Sequence, residues 1–219
     1  MSHFRYVNQL LQMRCAGDVL GVVGPMKEPA KEISEAMAII RRIKPWTLEN
    51  PMKYTLVDLC SGNAFVPVIS AFSLPVIHSH AVDKRPRNRP WDRARRFTYN
   101  NIDIGTMECI NFITSINGPV ILTAVHPCGP LATQVVALYN ICTNVEKMVV
   151  MPCCVGKTPF NMSDKMESRT GRDNLWAVYL AGGCGGKIIQ DDDVISPKNR
   201  IIIAEKNENQ DTRGEESTP

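Results

Sequence analysis

Residues able to do chemistry fall just behind short apolar runs. Behind the first run stands Val57-Asp58-Leu59-Cys60-Ser61-Gly62-Asn63-Ala64, an acidic residue leading into a glycine-bearing turn. Glycine there lets the backbone approach a nucleotide-like ligand closely. Asp83 follows Gly62 by 21 residues, a separation at which a carboxylate accepts hydrogen bonds from ribose hydroxyls. Asp103, behind a third run, is placed to meet an adenine edge. The blander reading is an ordinary turn with two helix-capping or solvated aspartates.

His126 ends a later run, and its neutral imidazole suits acceptance of a proton from a hydroxyl or an amine. It could equally bond backbone within a tight His-Pro turn. Pro127-Cys128 and Pro152-Cys153 place thiols where a nucleophile could attack a pyrimidine ring. An alternative joins His126, Cys128, Cys153, Cys154 and Cys184 as zinc donors at irregular spacing, and the plainest packs the thiols as small hydrophobes. A GxGxxG fingerprint and a GxxxxGK[ST] loop are both absent, which argues against NAD and against a P-loop nucleotide site.

Such residues need a scaffold that gathers the ends of the runs. Apolar spacing predicts strands over 54–59, 76–82, 96–102, 120–125, 147–151, 187–189 and 200–204. Helices are predicted over 30–44, 65–72, 107–116, 131–142 and 174–181, the last stopping at Gly182-Gly183, with a loop over 45–51. A weaker helix near the start would bury Phe4, Val7 and Leu11. Alternation of strand and helix implies a mainly parallel sheet covered on both faces. The last two strands lack a helix between them and predict an antiparallel hairpin. The expected fold is α/β and Rossmann-like, with seven strands. Residues 1–50 read as an N-terminal helical extension, 51–205 as the main domain and 206–219 as a polar tail.

Four motifs in order carry a likeness: Asp58-Leu59-Cys60-Ser61-Gly62, Val82-Asp83-Lys84, His126-Pro127-Cys128-Gly129 and Met151-Pro152-Cys153-Cys154-Val155-Gly156. With them the chain resembles a class I S-adenosylmethionine-dependent methyltransferase. The closer likeness is to the DxCSG/HxCG/PCC branch, which includes the methyltransferase domain of the glutathione S-transferase C-terminal domain-containing protein and relatives of the CCHH-type tRNA methyltransferases. The resemblance implies S-adenosyl-L-methionine as cofactor, with Asp58 and Gly62 near its methionine part, Asp83 on the ribose and Asp103 on the adenine. Cys60, Ser61, Ala64 and Lys84 would complete the cofactor site, and His126, Cys128 and Cys153 are the candidate catalytic residues. No metal is expected. The superfamily's turn continues to another glycine where this chain has Ala64, a methyl expected to crowd the cofactor.

The 219 residues are 44% hydrophobic and 21% charged, which excludes a disordered chain. No apolar run reaches membrane-spanning length, and the start has no signal-like apolar stretch, so a soluble, cytoplasmic protein without membrane contact is expected. The net charge of +3 is local. Lys84, Arg85, Arg87, Arg89, Arg93, Arg95 and Arg96 crowd one segment with a single anion, Asp92, and the rest of the chain is net acidic. Together with Trp91 as a stacking platform, this segment predicts RNA as partner. An RNA methyltransferase leads. A catalytically silent RNA-binding module and a methyltransferase for a protein or small molecule remain beside it.

Overall fold

Side chains alternate between the two faces of a sheet, so a strand covered on both sides reads as a continuous apolar run. The chain has several such runs. The computed structural model describes residues 4–153, 155 and 171–206. Within these, β1 (Thr55–Leu59), β2 (Ser79–Val82), β3 (Phe97–Asn100), β4 (Val120–Val125), β5 (Val145–Met151), β6 (Lys187–Gln190) and β7 (Arg200–Glu205) form one sheet, ordered β3-β2-β1-β4-β5-β7-β6. The first five strands are parallel, and β7 runs antiparallel to β5 and to β6. The expected α/β sheet with its terminal hairpin is present.

Helices cover both faces: α1 (Arg5–Leu11), α2 (Ala16–Val23), α3 (Pro29–Glu49) and α4 (Phe65–Ser73) on one side, α5 (Met107–Ser115), α6 (Pro130–Ile141) and α7 (Arg172–Cys184) on the other. Alternation along the central strands makes two cores. Leu56 and Ile121 join Tyr6, Leu10, Val22, Ile39 and Ile69 in the first. Val57, Leu59, Leu122 and Ala124 join Ile113, Val135 and Trp176 in the second. Each fully buried aliphatic contributes about 1.5–3 kcal/mol. No helix among the described residues is long and apolar enough to cross a membrane.

Four expectations change. α3 does not stop before Pro45 but continues to Glu49, because Thr47 is buried and Trp46 packs on the first core, holding the last turn although proline supplies no N–H. The first helix buries Tyr6 and Leu10, and leaves Phe4 and Leu11 exposed. α2 has no counterpart in the sequence reading: two glycines dilute its apolar period, yet Val19, Val22 and Val23 are fully buried. α7 passes through Gly182-Gly183 and ends at Gly185, which takes the left-handed conformation at φ 62°. Gly183 instead allows close packing, since a Cβ there would lie 3.3 Å from Val136 Cγ1.

The acidic run Asp191–Asp193 is tied to the N-terminal helices. Tyr6 donates its hydroxyl to Asp191 at 2.6 Å, Arg42 pairs with Asp191 at 2.9 Å, and Arg5 with Asp193 at 2.8 Å. Cys154, Gly156 and the polar tail past Lys206 lie outside the described residues.

Candidate active site

Strand order reverses beside β1, whose neighbours are β2 and β4, and the turns leaving these strands at their carboxyl ends border a cleft. It has two lobes. One, about 250 Å³, is lined by Glu32, Glu35, Asp58, Ser61, Gly62 and Arg87 among others. The other, about 310 Å³, is lined by Asp83, Lys84, Asp103, Ile104, Cys128 and Leu131. Cys60, Arg85 and His126 border both.

The turn after β1 adopts positive φ at every second residue: Cys60 at 56°, Gly62 at 52° and Ala64 at 59°. Two of the three are not glycine, so the conformation is held against the intrinsic preference of L residues. Asp58 holds it. Its buried carboxyl accepts from the Ser61 hydroxyl within the turn and from Thr123 Oγ1 of β4 at 2.7 Å. Burial pushes that carboxyl up to about 7, and the neighbouring Asp83 charge adds to this, against the two hydroxyl donors. Burial likewise pushes the Cys60 thiol up to about 12, with Asp83 and Asp58 contributing, so Cys60 stays a neutral wall of the cleft.

Asp83 stands at the end of β2 and locks the turn from the other side. Oδ2 accepts the Gly62 N–H at 2.9 Å, and Oδ1 accepts the Arg85 backbone N–H at 2.9 Å and its Nε–H at 3.3 Å. Burial raises this carboxyl, but the Arg85 and Gly62 donors outweigh it and hold it below its usual value. A carboxylate has about four acceptor positions. Three are filled here, and the Nε bond comes from a largely exposed side chain free to swing away. Asp103 accepts the Gly105 N–H at 3.0 Å and sits 3.9 Å from Lys84 Nζ across the second lobe.

Ala64 corrects an expectation. It lines neither lobe, is fully buried in the first core and caps α4, so its methyl does not crowd the cleft. The left-handed backbone turns its Cβ toward the core. Gly62 borders the first lobe, and a Cβ there would stand in open space, with nothing within 4 Å.

His126 has φ 54° and extends the ladder of β4 by donating its N–H to Met151 O at 2.8 Å. Nε2 lies 2.6 Å from Glu35 Oε1, and Glu35 is buried on α3. A carboxylate only accepts, so Nε2 carries the proton and Nδ1 is the basic atom. Nδ1 is buried without a partner. Glu32, also on α3, accepts from Asn63 Nδ2 at 2.7 Å. Neither glutamate was read from the sequence as a site residue. Cys128 is exposed on the wall of the second lobe, with Sγ 3.3 Å from Cys153 Sγ. Cys153 lines neither lobe. Among the described residues no three metal-ligating side chains converge, and Cys184 bonds instead within α7 to Leu180 O and Ala181 O.

The cationic segment divides in two. Arg96 donates to Val76 O, Ala71 O and Leu74 O, while Arg89 donates to Pro25 O and Asn63 Oδ1. Arg85 and Arg87 line the cleft, and Arg87 Nε is buried without a partner. Lys84, Arg93 and Arg95 face solvent. Trp91 does not stand open as a stacking platform. Its ring stacks on Tyr99 at 5.0 Å and 12°, packs against Phe97, and donates Nε1–H to Arg87 O.

The residues present fit a sulfonium nucleoside. The second lobe, with the Asp83 and Asp103 carboxylates on its wall and one acceptor position open on Asp83, suits ribose and adenine. The first lobe offers an unpartnered guanidinium N–H for a carboxylate and the Glu32 carboxylate for an ammonium group. Solved structures of similar shape include a cyclopropane-fatty-acyl-phospholipid synthase-like protein from Lactobacillus casei, with 12% identity, a TM-score of 0.48, and coverage of 80% of this chain and 77% of that chain. Others are the methyltransferase domain of bacterial CtHen1, at 13%, 0.49, 80% and 99%, and M. capricolum TrmK in complex with S-adenosyl-homocysteine, at 12%, 0.41, 75% and 67%. No curated protein sequence matches the chain. Residues 29–158 match the family model described as a methyltransferase domain, a span running from α3 past the end of β5. That span is more than half of the protein, and the chain belongs to this methyltransferase-domain family, whose methyl donor is S-adenosylmethionine.

Proposed function

We propose that the chain methylates RNA, with His126 as the base at the methyl-accepting position. The carrying observation is the Glu35–His126 pair: Nε2–H is anchored at 2.6 Å and Nδ1 is left buried and unpartnered beside both lobes. An unsatisfied buried acceptor costs about 1–3 kcal/mol. An acceptor hydroxyl or amine arriving at Nδ1 would satisfy it and lose its proton there. When bound, S-adenosylmethionine would supply an electrophilic methyl group, so positioning by the residues around it would carry most of the rate.

This chain's own residues do the positioning. Asp83 receives a ribose hydroxyl at its open acceptor position, and Asp103 with Lys84 flanks the base. Gly62 lets the backbone close on the methionine part, and Arg87 meets its carboxylate. Lys84, on the wall of the second lobe, and the exposed Arg93 and Arg95 support RNA as the acceptor, because phosphates are neutralised by such cations. The DxCSG, HxCG and PCC motifs point to the same branch as the tRNA enzymes they resemble. The crowding expected at Ala64 has no counterpart in the buried position of that methyl.

Titration calorimetry with S-adenosylhomocysteine, then transfer of labelled methyl groups to total RNA, tests the reading. Asp83→Asn should weaken cofactor-product binding about tenfold or more with an unchanged fold, by loss of a charge-assisted hydrogen bond. Glu35→Gln should lower the turnover of labelled RNA by about a hundredfold while leaving calorimetric affinity intact. No heat with the wild-type chain, or label appearing only in protein, overturns it.

A further inference from the structure

Two thiols converge at the lip of the cleft, apart from the role the proposed reaction gives His126. β4 and β5 pair in parallel as far as Val125 and Met151, and the bond from His126 N to Met151 O carries the ladder one step further. Past that point the strands leave the sheet side by side, each with a proline followed by a cysteine. The register brings Cys128 Sγ to 3.3 Å from Cys153 Sγ. Cys109 and Cys142 are buried in the second core, and burial pushes both thiols up. Cys60 is held near 12 by its burial and by two carboxylates. Cys128, by contrast, is exposed on the lip of the cleft with a second thiol as neighbour.

We propose that Cys128 and Cys153 are a redox-modification site, closing to a reversible disulfide at the lip of the cleft. An S–S bond of about 2.0 Å requires the sulfurs to approach by little more than about 1 Å, within reach of side-chain rotation. The oxidant is a hydroperoxide. The Cys128 thiolate attacks the peroxide, so that an S–O bond forms, the O–O bond breaks and the departing oxygen leaves as an alcohol or water after taking a proton. Cys153 then attacks Cys128 Sγ, the S–O bond breaks, and water leaves with the Cys153 proton. Two thiols are oxidised by two electrons in total, and the peroxide is reduced by two. A dithiol reductant reverses the reaction through a mixed disulfide. Because Cys128 forms part of the second lobe's wall, a ligand seated there covers the thiol and slows its oxidation. This last consequence rests on the cofactor reading of the lobe, whereas the disulfide itself does not.

The test uses the full chain carrying Cys154→Ser, which removes the adjacent thiol as a rival partner. Treatment with hydrogen peroxide should lower the intact mass by about 2 Da and yield one linked peptide pair, Cys128 with Cys153, reversed by dithiothreitol. Cys128→Ser and Cys153→Ser, each added to that background, should abolish the pair while circular dichroism shows the fold retained. Linkage of Cys128 to Cys60, or overoxidation of Cys128 with no link, overturns the proposal. Saturating S-adenosylhomocysteine should slow linkage about tenfold. An unchanged rate in that arm, with the disulfide still forming, overturns the cofactor assignment of the lobe and leaves the thiol pair standing.

Discussion

Asp58 shows how much one side chain does before any ligand arrives. Its buried carboxyl ties the β1 turn to β4 through Ser61 and Thr123, and burial raises it from the ordinary 3.8 to about 7. The folded chain therefore keeps a proton that the unfolded chain has already lost. Stability from this group is full below 3.8 and is lost as pH rises toward about 7. Asp83 has the opposite sign, because its folded value is lowered: its contribution is present above the ordinary carboxyl value and is lost as pH falls through its folded value. Asp58→Asn, which can still meet both hydroxyls, should flatten the decline in Tm between 3.8 and about 7 while leaving the acid-side loss intact. A Tm profile identical to wild type across that window would show that Asp58 is not its source. Asp58, Asp83 and His126 are legible in the sequence because each ends an apolar run. Glu35 is not, since it lies 91 residues from the histidine it orients and its helix gives no local sign of a site.

Among the elements, α4 is held by a cation from a distant strand entry. Arg96, just before β3, donates to Ala71 O and Leu74 O at the carboxyl end of α4, and to Val76 O in the link to β2. A guanidinium suits this work because its planar fork offers several donors at once. In sequence Arg96 belongs to the cationic cluster and reads as an RNA contact; in space it closes a helix. Arg96→Ala leaves three carbonyls short of a donor and should cost about 2 kcal/mol, read from the denaturant midpoint with an unchanged slope. The strands were legible because β-branched and apolar runs between turn residues say little else. Helix ends were less so. Pro45 and Gly182-Gly183 look like stops, yet buried Thr47 and the close approach of Gly183 to Val136 carry both helices through them.

For the molecule as a whole, the net charge of +3 is less informative than where the charge points. Lys84, Arg93 and Arg95 face solvent, whereas Arg89 and Arg96 are engaged in the fold. Each phosphate contact adds about 0.7–0.9 to the slope of log affinity against log salt. Replacing Lys84, Arg93 and Arg95 together by alanine should reduce that slope for RNA by about 2. Arg89→Ala should lower Tm and leave the slope alone. Filter binding across a salt series checks both, and an unchanged slope in the triple variant would remove this face from RNA recognition.

Local chemistry was enough to specify the order of strands and helices, the terminal hairpin and the acidic residues at the strand ends, because apolar period and turn residues act over a few positions. It could not specify which cations are spent inside the fold, that Ala64 points into the core, that α3 delivers Glu35 to His126, or that two Pro-Cys pairs meet. Those depend on contacts between residues tens of positions apart, and only the parallel register of the sheet brings such residues within bonding distance.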